Sequence, residues 1–230
     1  FYLGIGSGSH AEQTARVMIE FEKILIEEKP DLVIVVGDVN STIACSLTAK
    51  KLHISVAHVE AGLRSFDMDM PEEINRILTD RISDFLFVTE QSGLNNLRNE
   101  GTDSKNVFFT GNVMIDSLMH YIDKSENSSV LDDLNLEKNN YVLLTMHRPS
   151  NVDSESQLKN LAEMIEKLAP LKKIVFPVHP RTRKNLETFG LLEALGDRVI
   201  LTEPIGYIDF ISLIKNASLI LTDSGGIQEE

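Results

Sequence analysis

Leu32-Val33-Ile34-Val35-Val36-Gly37-Asp38 is the stretch that decides the fold. Five consecutive apolar residues, mostly β-branched, read as a strand buried on both faces, as the strands of a parallel sheet between helices are. The run ends on a glycine and a carboxylate. Glu60-Ala61-Gly62-Leu63-Arg64, His147-Arg148 and Asp223-Ser224-Gly225-Gly226 likewise follow short apolar runs. Ligands of parallel α/β sheets bind outside the carboxyl ends of the strands. Residues far apart in sequence are therefore expected at one edge of the fold, which is the layout of an active site.

Working outward, residues 10–29 read as an amphipathic helix, with Met18, Phe21 and Leu25 at i, i+3 and i+7, stopped by Pro30-Asp31. A helix at 40–51 and a strand at 54–59 follow the first strand, then a loop around Ser65–Met70. Pro71 opens a helix whose first turn carries Glu72 and Glu73, where carboxylates suit the macrodipole. A strand at 84–88, a helix at 90–100, a strand at 106–109 and a helix at about 112–124 complete a first lobe over residues 1–124. The polar stretch 125–140 reads as a linker. Residues 141–230 resume the alternation, with strands at 141–146, 173–178, 198–202 and 218–222. Their helices are expected at 155–169, 181–190, 207–216 and from near Gly226. The pattern is that of an α/β protein with two Rossmann-like lobes and a cleft between them.

The 230 residues suffice for two small domains and carry a net charge of −13. That charge argues against a nucleic-acid-binding surface, which needs clustered basic residues. A phosphate site would need a local basic patch, which Arg64, Arg76, Arg148 and Arg181 could provide. No apolar run approaches the roughly 18 residues of a membrane span. The single cysteine, Cys45, excludes an intramolecular disulfide framework, fits a reducing cytosol and reads as core packing. The chain starts at Phe1 without an initiator methionine and stops inside a helical motif, so a fragment of a longer protein is expected.

Asp38 reads either as a cap of the following helix or as a functional carboxylate. Glu60 ends a buried strand, where a lone carboxylate is costly, and its two readings are an ion pair with Arg64 or a catalytic group. Glu72 and Glu73 alone are ordinary first-turn charges. A cluster of Asp38, Glu60 and Glu72 would instead raise carboxyl pKa values by mutual repulsion and suit proton abstraction and return at carbon. Asn75 and Arg76, one turn along, could bind substrate or orient the carboxylates.

His147 and Arg148 could hold a phosphate, with a protonated histidine assisting a phosphate leaving group. His179-Pro180-Arg181 repeats the pattern one strand later. Asp223-Ser224-Gly225-Gly226 offers amides for an anion, and Glu229 or Glu230 could accept from a ribose. His53 reads as surface, His58 as buried in its strand and His120 as helix-borne. Gly4-Ile5-Gly6-Ser7-Gly8 lacks the rest of a dinucleotide fingerprint, and no spacing suggests a metal site.

Taken together, these segments resemble the non-hydrolysing UDP-N-acetylglucosamine 2-epimerases. The matching stretches are Gly6 to Thr14, Gly37 to Thr42, His58 to Arg64, Pro71 to Arg76, Gly111-Asn112, Thr145 to Val152 and Asp223 to Glu230. The resemblance implies the GT-B architecture, truncated at both ends here, since the family's first strand and last βα units fall outside the chain. It implies interconversion of UDP-N-acetylglucosamine and UDP-N-acetylmannosamine, without a cofactor or required metal. UDP is eliminated to leave a 2-acetamidoglucal and is then added back. By the same resemblance, Asp38, Glu60 and Glu72 become the acid/base carboxylates and His147 the phosphate-side catalytic residue. Ser224, Gly225 and Gly226 would hold the diphosphate and Glu230 the ribose. Arg148 and His179 would face the substrate or a second, regulatory nucleotide sugar, and Arg64, Asn75 and Arg76 would line the substrate site.

A cytoplasmic homodimer feeding cell-envelope polysaccharide synthesis is also implied. His179-Pro180-Arg181-Thr182 departs from many bacterial members, which keeps a UDP-2,3-diacetamido uronic acid open as substrate. The competing readings are a GT-B glycosyltransferase, which needs no three-carboxylate cluster, and a nucleotide-sugar-binding module without turnover.

Overall fold

Leu32–Val36 is strand β1 of a four-stranded parallel sheet in the computed structural model, which describes residues 1–196 and 199–230. The chain divides into two units, Phe1–Val113 and Met114–Glu230. In the first, helix α1 (His10–Glu28) precedes β1, and α2 (Asn40–Lys51), β2 (Ser55–Val59), α3 (Pro71–Ile82), β3 (Phe85–Val88), α4 (Gln91–Asn99) and β4 (Val107–Phe109) follow. The strands lie in the order β1-β2-β3-β4, all parallel. Ser9 caps α1 in a capping box with Glu12, satisfying two backbone donors reciprocally. Pro71 occupies the first turn of α3, where its missing N–H costs nothing.

One expectation fails here. β1 is buried on a single face: Val33 and Val35 are inside, whereas Ile34 is 63% and Val36 53% exposed. The inner face packs with Leu25 of α1 and Ala49 of α2. Cys45 packs beside that cluster, and burial pushes its thiol up to about 11, as a core role requires.

The second unit begins with most of α5 (Val113–Ser125), so residues 114–124 cluster with it rather than with the first lobe. The stretch 125–140, read as a linker, holds the one-turn helix α6 (Val130–Asp133). Val130 and Leu136 are buried in a core with Tyr141 and Leu213, which makes the segment part of this unit. The sheet order is β7-β6-β5-β8, again all parallel, from β5 (Tyr141–Thr145), β6 (Lys173–Pro177), β7 (Val199–Thr202) and β8 (Leu219–Thr222). Residue 198, the expected start of β7, lies outside the described residues. The helices are α7 (Pro149–Val152), α8 (Glu155–Leu168), α9 (Pro180–Thr188), α10 (Leu192–Leu195), α11 (Tyr207–Asn216) and α12 (Gly225–Glu229). Leu158, Leu161 and Ile165 form the buried stripe of α8, at i, i+3 and i+7.

The turn after β2 is fixed by contact between two backbones. A Cβ on Gly62 (φ +81°) would lie 2.5 Å from the Gly93 carbonyl oxygen. One on Gly93 would meet Val88 at 2.8 Å, so neither position has room for a methyl group.

Candidate active site

In the first unit, the candidate carboxylates sit where adjacent parallel strands end. Gly37 adopts φ +70° to turn the chain out of β1, and Asp38 follows. Asp38 does not cap α2, whose N-cap is Val39. Its Oδ2 instead accepts from Arg76 at 2.5 Å, and its carbonyl accepts from the Asn75 amide at 2.9 Å. Asn75 and Arg76 therefore orient Asp38, one of the two roles open to them. A guanidinium therefore faces Asp38.

Glu60 ends β2 in the left-handed region, φ +71°. Holding a residue other than glycine there costs about 1 kcal/mol or more, a strain that concentrates at functional sites. Glu60 Oε2 lies 3.7 Å from where a Cβ on Gly37 would be, so its carboxylate rests against the turn that carries Asp38. Glu72 lines a cavity of about 350 Å³ with His10, Gln13 and Asn40. Asn40 accepts from Asn75 at 3.4 Å, which links this cavity to the Asp38 turn.

Glu72 and Glu73, neighbours in sequence, point to different work. Glu73 is 1% exposed and accepts from the Ser65 amide and hydroxyl and the Phe66 amide at 2.9–3.0 Å. Burial opposes its charge, but these donors and Arg76 outweigh it and hold the carboxyl below the usual range. The loop Ser65–Met70 thus hangs from one carboxylate.

Arg64 departs from its expected substrate-binding role. Its side chain is 1% exposed and is spent on Asp80 (2.7 Å), Glu100 (2.8 Å) and its neighbour's carbonyl. Arg64 is thus paired with two acids that lie far from it in sequence. Asp80, which the sequence reading passed over, is 3% exposed in its side chain and also binds the Gly62 amide and His58. No local signal marks it, because its partners lie 16 to 22 residues earlier.

In the second unit, β5 delivers His147 and Arg148 and β8 delivers Asp223 to the same sheet edge. The Asp223 carboxylate accepts from the amides of His147 and Arg148 and from the Asn151 side chain, at 2.9–3.1 Å. It also meets His147 Nδ1 at 2.8 Å. Burial works against its charge, yet Asn151, the two amides and the His147 ring together hold its carboxyl below the usual range. With Nδ1 so engaged, Nε2 of the half-exposed His147 ring is the nitrogen that could exchange a proton with a ligand. The His–Asp arrangement orients a histidine for proton transfer. The motif containing Asp223 was read for its glycines, and its carboxylate was overlooked.

Arg148 is exposed, with Nε donating to the Asp223 carbonyl. Ser224 precedes α12, whose first residues are Gly225 and Gly226. Glu230 accepts from the Tyr207 hydroxyl at 2.9 Å. His179 is the N-cap of α9, its Nδ1 accepting from the Arg181 amide, and Arg181 is paired with Asp153. Of the four arginines expected to form a basic patch, Arg148 is the one not held in an ion pair among the described residues.

The chain matches the family model for UDP-N-acetylglucosamine 2-epimerase over residues 1–230. It is 48% identical over 243 residues to a UDP-N-acetylglucosamine 2-epimerase of Methanocaldococcus jannaschii, covering all of this chain and 65% of that protein. It is 41% identical over 233 residues to the UDP-2,3-diacetamido-2,3-dideoxy-D-glucuronate 2-epimerase of Pseudomonas aeruginosa, covering all of this chain and 64% of that protein. The crystal structure of the M. jannaschii UDP-GlcNAc 2-epimerase in complex with UDP-GlcNAc and UDP matches with a TM-score of 0.87 at 48% identity, covering 99% of this chain and 64% of that one. The chain therefore spans about 65% of the length of the M. jannaschii relative.

Proposed function

The chain belongs to the UDP-N-acetylglucosamine 2-epimerase family, and on that premise we propose that the whole protein inverts C2 of a UDP-2-acetamido sugar, interconverting UDP-N-acetylglucosamine and UDP-N-acetylmannosamine. The observation that carries this reading is the Glu60 carboxylate resting against the Asp38 turn, at the ends of adjacent strands. Glycosyl transfer needs no such pair. Removing and returning a carbon-bound proton does.

In the reaction, a carboxylate takes the C2 proton while the C1–O bond breaks and its electron pair leaves with UDP. The product of that half-reaction is a 2-acetamidoglucal. UDP then adds back to C1, and a carboxyl group delivers a proton to the opposite face of C2. Asp38, Glu60 and Glu72 supply the acid and base. His147, held by Asp223, donates to the departing phosphate, and Arg148 offsets its charge. Ser224, Gly225 and Gly226 hold the diphosphate and Glu230 the ribose, so UDP is retained while the glycal exists. We assign no metal or cofactor, and read the protein as a cytoplasmic homodimer.

Proton NMR of the full-length protein with UDP-N-acetylglucosamine in heavy water tests this. Loss of the C2 proton signal with UDP-N-acetylmannosamine appearing is expected. Binding without exchange would overturn the substrate assignment. The Pseudomonas relative favours UDP-2,3-diacetamido-2,3-dideoxy-D-glucuronate as the second compound to try.

A further inference from the structure

His58 takes no part in the chemistry just described, yet its surroundings are specific. Its side chain is fully buried in β2, two residues before Glu60. Nδ1 lies 2.7 Å from Asp80 Oδ1 and Nε2 lies 2.8 Å from the Gly37 carbonyl oxygen. Each ring nitrogen therefore faces an oxygen that can accept a hydrogen bond. The Gly37 amide in turn donates to the Val59 carbonyl at 3.1 Å. Gly37 is thus tied to β2 through both its N–H and its C=O. On the other side, Asp80 Oδ2 accepts from the Gly62 amide at 3.0 Å and from Arg64 at 2.7 Å. One histidine–aspartate pair joins the turn before Asp38 to the turn after Glu60.

A buried ion pair is often no more stabilising than a well-packed apolar replacement. Stability alone therefore gives little reason for a histidine in the run Val56-Ala57-His58-Val59. An apolar side chain at 58 could fill the space, but it could not hold the Gly37 carbonyl.

We propose that His58 is a positioning residue: with Asp80 it clamps the Gly37–Asp38 turn against the Glu60–Gly62 turn and so sets the spacing of the two carboxylates. This rests on the reading of Asp38 and Glu60 as proton-transfer groups. A misplacement of about 1 Å at reacting groups costs on the order of 100-fold in rate.

The test uses His58→Leu and His58→Gln in the full-length protein. In His58→Leu, kcat falls on the order of 10- to 100-fold, while KM for UDP-N-acetylglucosamine stays within about 3-fold. Amide hydrogen exchange quickens in the segments 36–40 and 60–64. Glutamine has a side-chain amide that can donate to the Gly37 carbonyl, so His58→Gln recovers part of kcat. It also carries the comparison if the leucine variant does not fold. A folded His58→Leu with kcat within about 2-fold of the parent, or with unchanged protection at both turns, overturns the clamp. If the parent protein exchanges no C2 proton, the proposed reaction fails, and amide exchange alone then decides whether the clamp exists.

Discussion

Each unit holds a histidine with an aspartate, and the two pairs differ in one respect that decides their use. His58–Asp80 and His147–Asp223 have nearly equal separations, 2.7 and 2.8 Å. The His58 side chain is 0% exposed and has both nitrogens engaged; the His147 side chain is 56% exposed and has Nδ1 engaged. The same chemical pair therefore ties two turns together in one place and aims a nitrogen outward in the other. Burial, not partner identity, separates the sealed pair from the open one.

The largest test of that contrast is Asp80→Ala. It strips a buried histidine, a buried arginine and the Gly62 amide of their acceptor, and should cost about 3–5 kcal/mol, read as a fall in the urea midpoint of the full chain. A loss near zero would mean that the sealed pair anchors nothing. Next, His147→Ala should cut turnover on the order of 100-fold with stability changed by no more than about 0.5 kcal/mol. A large stability loss with normal turnover would invert the comparison.

Asp223→Asn sharpens it through pH. The folded-state carboxyl is held low, so its contribution is present above the unfolded value, about 3.9, and is lost as pH falls through the folded value. The parent should exceed the variant by about 1 kcal/mol at pH 7, and the gap should close on acidification below about pH 4. An equal gap at pH 7 and pH 3 would refute the linkage. Glu60→Gly relieves the left-handed strain and should raise stability by up to about 1 kcal/mol while abolishing C2 proton exchange. Destabilisation would show that the carboxylate helps to hold the turn.

The elements that were legible in the sequence are those whose signal is local. β1 and the helices 40–51 and 207–216 fall where they were expected, because continuous apolar runs and helical periodicity mark them without reference to the rest of the chain. Helices of one turn, α6, α7 and α10, carry no period to read and were missed. The candidate site was legible as a set of strand-end motifs but not as a set of partnerships. Arg64 stands four residues from Glu60 and yet pairs with Asp80 and Glu100, which packing brings to it from α3 and from the end of α4. Glu72 and Glu73 look alike in sequence. Their directions differ by about 100° on the helix, which sends one toward a cavity and the other into the loop it suspends.

Two segments that follow Glu60 in the chain offer unequal freedom to anyone redesigning this scaffold. In the first, Gly62 and Gly93 meet backbone to backbone, so neither position accepts a larger residue. In the second, the Ser65–Met70 loop is mostly exposed and hangs from Glu73. Insertions, grafts and randomised libraries belong in that loop with Glu73 left untouched, because the retained carboxylate keeps the start of the loop anchored while the rest of it is rebuilt.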